Sequence, residues 1–424
     1  MGLGAPAVEG LVSAAGPACR FCSAPLTQTF VDLGLSPLAN SLVAEEDLAR
    51  EEPRFPLHAC VCGSCLLVQL GEFASPQDIF EDYVYFSSFS DTWVEHARRY
   101  VEQMIERFGF DGGSRVVEIA SNDGYLLQWF VERGVPVLGV EPAANVAAAA
   151  EAKGIPTVVR FFGEQTAGEL VAEGGPADLV IGNNVLAHVP ALNDFVAGLK
   201  VLLAPGGILT MEFPHLLHLI EKTEFDTIYH EHFSYFSALT VGRVFGAHGL
   251  RLFDVDELPT HGGSLRIYAT HAAGSPHEDT GRWAELIERE RAAGLADLAT
   301  YARFDERVRA VRDGLVEFLE DARAEGGSVA AYGAAAKGVT LLNYCGIGPE
   351  LVAYVADRSP HKQGLYVPGV RIPIRPPEHV GETKPDYLLL LAWNLKDEIV
   401  EQMSHVREWG GRFVTPVPEV AVHA

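Results

Sequence analysis

Basic residues are scarce in this 424-residue chain: 32 lysines and arginines against 57 aspartates and glutamates leave a formal net charge of −25. Affinity for nucleic acid comes from Lys and Arg neutralising phosphates, so this balance opposes a nucleic-acid partner and favours a small molecule. Long apolar runs are missing too. None approaches the roughly 20 residues of a membrane span, so no membrane partner is expected. The opening Met-Gly-Leu-Gly-Ala-Pro-Ala-Val-Glu-Gly has no basic segment followed by an apolar core. No secretory leader is read there, and a cytoplasmic setting is expected. Internal repeats and low-complexity tracts are absent.

Cysteine is sparse but not evenly so, since five of six fall early, at 19, 22, 60, 62 and 65. Cys19-x-x-Cys22 and Cys62-x-x-Cys65 each bend so that two thiolates face one point. Together they complete a tetrahedral four-sulfur shell for Zn2+. Four protein ligands leave no open position, so the metal is expected to be structural. Cys60 is a spare thiol that could replace Cys62. The β-rich stretch between the knuckles is too small to fold robustly without its metal. Disulfides are the competing reading, and a cytosolic setting disfavours them.

At this length two or three domains are expected. Arg115-Val-Val-Glu-Ile-Ala-Ser-Asn-Asp-Gly-Tyr-Leu-Leu127 reads as strand, tight turn and helix. Methyltransferases of the seven-strand type usually place acid-x-Gly-x-Gly-x-Gly in this slot. Here Glu118 is the acid and Gly124 the last glycine, while Ala120 and Asn122 replace the first two. Ser121, Asn122 and Asp123 would line the turn. A second strand ends in Glu141, placed to accept from ribose hydroxyls. A third runs into the polar rim Asn183-Asn184 and on to His188-Val-Pro190, and a helix leads to the turn Pro205-Gly-Gly207. Gly-x-Gly-x-x-Gly is absent from the first loop, so S-adenosylmethionine is favoured over NAD. Tyr83, Tyr85, Ser87 and Ser88 precede this unit and would fold over the cofactor or simply bury against the next domain. Trp93 to about Phe108 has the spacing of an amphipathic helix.

A second strand–turn–helix follows at Val329-Ala-Ala-Tyr-Gly-Ala-Ala-Ala-Lys-Gly338, with Gly333-x-Ala335-x-x-Gly338 as a relaxed dinucleotide-type loop. Lys337 puts a cation where phosphates lie at a helix start. Asp357 ends the next strand. Arg266, in His261-Gly-Gly-Ser-Leu-Arg266, could anchor an anionic group. Thr280 to Glu325 is helical and charge-rich, which suggests a solvated bundle or hinge.

Between the two α/β units lies Thr227-Ile-Tyr-His-Glu-His-Phe-Ser-Tyr-Phe-Ser237. Its Tyr229, His230, Glu231, His232 and Tyr235 can each carry or share a proton. The histidines are two apart, unlike His-Glu-x-x-His, so they would not share a helical face. Such a loop could equally pin two domains together. Its position between two nucleotide-type loops favours a reaction centre.

Taken together, these motifs resemble the family of S-adenosylmethionine-dependent C-methyltransferases that act on nucleotide-linked keto-deoxysugars in antibiotic biosynthesis, such as the mycarose and tetronitrose C-3 enzymes. The resemblance covers nearly the whole chain. Its departures, Leu66 after the fourth zinc cysteine and the extra Cys60, touch only the zinc module. It implies an α/β protein of three parts: a zinc-binding β module (1–88), a Rossmann-like class I methyltransferase domain (89–272), and a helical hinge with a second Rossmann-like domain (273–424). By resemblance, His232 is the leading base, with Glu231 orienting it or taking the proton itself. Tyr229 and His188 would steady the enolate. S-adenosylmethionine would meet Tyr83, Ser87, Glu118, Ser121, Asn122, Asp123, Gly124, Glu141, Asn183 and Asn184. A dTDP-linked 4-keto-deoxysugar would meet Lys337, Tyr332 and Arg266. C-3 is the commoner target of the family, with C-5 left open. Two rivals remain at this point, a zinc-bearing methyltransferase of RNA or protein and a non-catalytic nucleotide sensor. The oligomeric state is not legible, and a monomer is compatible with the sequence.

Overall fold

The computed structural model describes residues 17–73 and 86–423. Tyr83 and Tyr85 lie outside the described residues. Three sheets organise the chain. The first is antiparallel and built from β1 (Gln28–Ser36), β2 (Phe55–Val61) and β3 (Val68–Leu70). Its fourth strand arrives from mid-chain, as described below.

The central sheet holds β4 (Val116–Ile119), β5 (Val137–Val140), β6 (Thr157–Val158), β7 (Ala177–Asn183) and β8 (Leu203–Pro214). β9 (Ser234–Tyr235) leaves to pair with β3, Val68 opposite Tyr235 and Gln69 opposite Ser234. β10 (Leu250–Leu258) and β11 (Ser264–His271) complete the sheet in the order β10-β11-β8-β7-β4-β5-β6. β11 runs antiparallel to both neighbours, and the other pairings are parallel. The strand order reverses between β4 and β7, and a crevice opens beyond their carboxyl ends. Both strands are almost wholly buried and, apart from Glu118, Asp178 and Asn183, apolar, as a sheet covered on two faces requires.

The third sheet repeats the plan with β12 (Val329–Tyr332), β13 (Val355–Ala356), β14 (Ile374–Arg375), β15 (Tyr387–Leu390), β16 (Arg412–Thr415) and β17 (Ala421–His423). Its order is β14-β13-β12-β15-β16-β17, parallel except for β17. Here the switch point lies between β12 and β15.

The expected helix after the linker spans Asp91–Phe108. The Ser90 side chain caps it by accepting from the Trp93 N–H, and Gly109 ends it in the left-handed conformation. The charge-rich stretch after β11 is not the solvated bundle expected. Helix Phe304–Ala324 buries Phe304, Val308, Val311, Leu315, Leu319 and Ala322. That apolar stripe at three- and four-residue spacing packs on the first sheet, where Phe304 stacks on Phe30 with centroids 4.4 Å apart. One core therefore joins the first sheet, this helix, the Phe225–Ile228 segment and the third sheet. Cys19, Cys62 and Cys65 of the small module pack into the central domain's core instead. The module is wedged between the two larger units.

Candidate active site

The sulfurs of Cys19, Cys22, Cys62 and Cys65 all lie within 4.8 Å of one another. Cys19–Cys65 and Cys22–Cys62 are each 3.5 Å apart. Tetrahedral zinc with bonds of about 2.3 Å requires sulfurs about 3.8 Å apart, so the set fits the ion. The residue after each knuckle is left-handed, Ser23 at φ 60° and Leu66 at φ 67°. That lets Ser23 N–H reach the Cys19 carbonyl at 2.9 Å and Leu66 N–H the Cys62 carbonyl at 3.0 Å. Leu66 thus takes up the conformation for which a glycine would be favoured. Cys60 stands apart on β2, its sulfur 3.9 Å from His58 Nε2, so Cys62 is the fourth ligand. Gln69 ties this centre to the next one. Its Nε2 donates to Cys19 Sγ at 3.2 Å, while its backbone pairs with Ser234.

Beyond β4 the turn keeps the geometry that its missing glycines would have supplied. Ala120, Asn122 and Gly124 are left-handed at φ 55°, 50° and 76°. A Cβ at Gly124 would strike the Ile155 side chain. Glu141 braces the turn by accepting from Asn122 N–H at 3.0 Å and Ala143 N–H at 2.9 Å. Ser87 N–H donates to Asn122 Oδ1 at 2.8 Å, and Lys153 Nζ bridges Ser88 Oγ and Asp123. Around this switch point lies a set of buried polar atoms without hydrogen-bond partners among the described residues. They are both carboxyl oxygens of Glu118, Ser121 Oγ, Asp123 Oδ1, and the amide oxygen and nitrogen of Asn183. Each such atom costs about 1–3 kcal/mol unless a ligand meets it. Burial, then the charges of Glu141, Asp123 and Glu212, push the Glu118 carboxyl well above the usual range. A cationic ligand with several donors and acceptors would relieve all of this, and the sulfonium and ammonium of S-adenosylmethionine fit.

Arg266 has a different task from the one expected. It is 3% exposed and forms an ion pair with Glu212, its Nε 2.7 Å from Oε1. Its Nη1 donates to Gln103 Oε1 at 3.1 Å, and the guanidinium lies over the Tyr100 ring. These contacts are internal to the central domain and commit the group there. Burial disfavours an ionised Glu212, but Arg266 and His96 outweigh it and hold the carboxyl below its ordinary value. Asn184, left-handed at φ 54°, has its amide 3.2 Å from His261 Nε2.

The mid-chain stretch folds as a turn, with His232 N–H donating to the Tyr229 carbonyl at 2.9 Å. The turn brings these two side chains together. His232 Nδ1–H donates to the Thr227 carbonyl at 2.9 Å, which leaves the Nε2 lone pair to accept from Tyr229 O–H at 2.7 Å. Burial, with His188 next, lowers the affinity of His232 for a second proton well below the ordinary range, so the ring is neutral. His188 meets it edge-on at 4.7 Å, and burial pulls that ring down to about 4 against a hydrogen bond that the ring donates to the Glu231 carbonyl. Glu231 does not orient His232, a role taken by the Thr227 carbonyl. Its own carboxyl, 6% exposed, is pushed up to about 7 by burial and accepts from Asn40 Nδ2 at 2.5 Å. Phe233 fixes the stretch on both sides, its N–H donating to the Ala187 carbonyl at 2.7 Å and its carbonyl accepting from Leu70 N–H at 3.1 Å.

Residues that follow β12 and β15 reach the chain just before this turn. Lys337 Nζ donates to Asn394 Oδ1 at 2.5 Å and sits over the Trp393 ring. Trp393 Nε1–H donates to Asp226 Oδ2 at 2.6 Å, and Thr340 Oγ1–H donates to the Ile228 carbonyl at 3.1 Å. Burial lowers Lys337, and the charges of Asp226 and Glu224 partly restore it. Asp357 repeats the bracing seen at Glu141, accepting from Ala334 N–H at 2.8 Å. Tyr332, by contrast, is 5% exposed and packs into the C-terminal core. Asn40, Asp226 and Glu212 join the site without any local motif that could have marked them in the sequence.

Family models match in three consecutive segments: a putative zinc binding domain over residues 19–80, a methyltransferase domain over 93–255, and a C-methyltransferase C-terminal domain over 259–418. The C-methyltransferase NovU of Streptomyces niveus is 39% identical over 404 residues, covering 95% of this chain and 96% of that protein. A ubiquinone biosynthesis O-methyltransferase of Caulobacter sp. (strain K31) is 32% identical over 125 residues, 26% of this chain and 46% of that protein. Among solved structures, magnesium protoporphyrin IX methyltransferase ChlM of Synechocystis PCC 6803 with bound SAM aligns at 16% identity and TM-score 0.33, covering 46% of this chain and 88% of that one. The CcbJ methyltransferase of Streptomyces caelestis aligns at 12% and 0.35, covering 46% and 96%.

Proposed function

The chain belongs to the C-methyltransferase family, and from that premise we propose that it methylates C-3, the carbon beside the ketone, of a dTDP-linked 4-keto-deoxysugar. It is an S-adenosylmethionine-dependent enzyme with a zinc-binding module. The observation that supports the substrate reading is the approach of residues from both switch points to one imidazole. His188, beyond β7, meets the His232 ring at 4.7 Å, and the charge of Lys337, beyond β12, is felt by the same ring. The C-terminal loop reaches that turn through Trp393 and Asp226.

A carbon beside a ketone becomes a nucleophile only when its proton is removed. The Thr227 carbonyl holds the Nδ1 proton of His232, so Nε2 is the atom that takes the substrate's proton. A base placed in this way contributes about 10²–10⁴-fold. The ring is neutral before the reaction because burial opposes its charged form. Tyr229 O–H, already directed at Nε2, is placed to turn its proton to the developing enolate oxygen, and His188 lies beside it. Donors of this kind act strongest where water is excluded. Bound S-adenosylmethionine supplies an electrophilic methyl, and Glu118, Ser121, Asp123 and Asn183 are the residues that would hold it. Lys337, at the first turn of helix Ala336–Cys345, would take the diphosphate side of the nucleotide.

The test is a small panel of dTDP-4-keto-deoxysugars assayed with the parent protein and His232→Asn, with NMR assignment of the product. The expected result is a new methyl on C-3 with the parent and a loss of at least about 10²-fold in the variant. Both ligands should still bind the variant. A variant that keeps both ligands and methylates at the parental rate would remove His232 as the base. A parent that methylates none of the panel would remove the sugar reading.

A further inference from the structure

The small module does more than bind metal, because its Pro37–Val43 loop reaches the reaction centre. Asn40 lies on that loop and its side chain is exposed, whereas the Glu231 carboxyl it meets is buried. The contact, Asn40 Nδ2 to Glu231 Oε1 at 2.5 Å, joins residues 191 apart in the chain. Only the amide nitrogen can donate to an ionised carboxylate, so the orientation of the amide is fixed by chemistry. The loop is held from both sides. At one end Ser36 closes β1, and at the other Val43 forms an antiparallel bridge with Tyr366 of the C-terminal unit, with N–H···O distances of 3.0 and 2.8 Å. The amide is thus carried by one unit and braced by another.

We propose that Asn40 is a positioning residue for methyl transfer, its amide holding the Glu231 side chain and so the turn whose Glu231 carbonyl bonds the His188 ring. This rests on the reading above, in which the base His232 lies on the turn that also carries Glu231. Asn40 is the one side chain given a hydrogen bond to that carboxyl among the described residues. Burial drives Glu231 up to about 7 and the Asn40 amide pulls it down, and no charged side chain is among the influences. The titratable neighbours are His188, whose ring bonds the Glu231 carbonyl, and the flanking His230 and His232. Burial keeps all three neutral.

The experiment uses the full-length, zinc-loaded protein. Carboxyl ¹³C NMR, with Glu231→Gln identifying the signal, gives the titration midpoint of Glu231 in the parent, Asn40→Ala and Asn40→Asp. Losing one hydrogen bond to a charged group should move the midpoint up by about one pH unit, and Asn40→Asp should move it further because two carboxyls then face each other. The acid limb of the rate against pH, measured with the dTDP-4-keto-deoxysugar that the parent methylates, should move up with it. Superimposed titrations, or a rate limb that stays in place while the titration moves, would overturn the proposal. A shifted titration in a protein that methylates no sugar nucleotide leaves the Asn40–Glu231 contact standing and removes the sugar reading alone.

Discussion

Glu118→Gln should stabilise the ligand-free protein and weaken its hold on S-adenosylmethionine. Glu118 is 1% exposed, neither carboxyl oxygen has a hydrogen-bond partner among the described residues, and three other carboxyls face it. An unsatisfied buried group costs about 1–3 kcal/mol. Glutamine keeps the shape and removes the charge. Recovering even about 1 kcal/mol raises the melting temperature of a domain this size by about 2–4 °C. The sign with pH follows from linkage. Folding raises the carboxyl above its unfolded value, so the folded state binds the extra proton and stability falls as pH rises through the ordinary carboxylate range. The gain from Glu118→Gln should therefore vanish in acid below that range and grow as pH rises above it. The same carboxylate is the natural partner of a cation, and one charge-assisted hydrogen bond is worth about 1.5–3 kcal/mol. Affinity for S-adenosylmethionine should then fall by about 10–150-fold. Thermal melts at several pH values and titration calorimetry with S-adenosylmethionine read both effects. A variant that melts no higher than the parent at neutral pH and binds the cofactor equally well would refute the assignment.

Cys62→Ser should bring zinc below one ion per chain by metal analysis, lower the melting temperature and reduce turnover even with both ligands saturating, since Gln69 links a zinc ligand to the strand beside the turn. Arg266→Met should destabilise the protein by about 3 kcal/mol in chemical denaturation, because the buried Glu212 charge is left with His96 alone. Arg266→Met together with Glu212→Leu should recover most of that loss, which a substrate-binding role for Arg266 would not permit.

What the sequence made legible is local. A Cys-x-x-Cys knuckle is set by a few adjacent dihedral angles, so the spacing alone placed the four sulfurs. The two strand–turn–helix units were legible for the same reason. Ala120 and Asn122 show the limit of reading glycine as the mark of such a turn, since both adopt the left-handed conformation without being glycine. Arg266 looked like an anion anchor because nothing beside it in sequence announces Glu212, which reaches it across neighbouring strands. Glu231 and His232 are adjacent in sequence, yet their side chains meet different partners, Asn40 and Thr227. The high charge of the Phe304–Ala324 helix masked an apolar stripe that packs on a sheet far upstream in the chain, as the Phe30–Phe304 stack shows.

The loan of β9 to the small sheet bears on how this chain can be recombined. Residues 17–73 on their own would carry a three-stranded sheet with an open edge along β3, where Ser234 and Tyr235 now pair. A graft of that segment from a relative would confront a foreign turn at its edge. Any exchange that preserves turnover would have to move the Phe233–Tyr235 strip together with the cysteine knuckles, although more than 160 residues separate them.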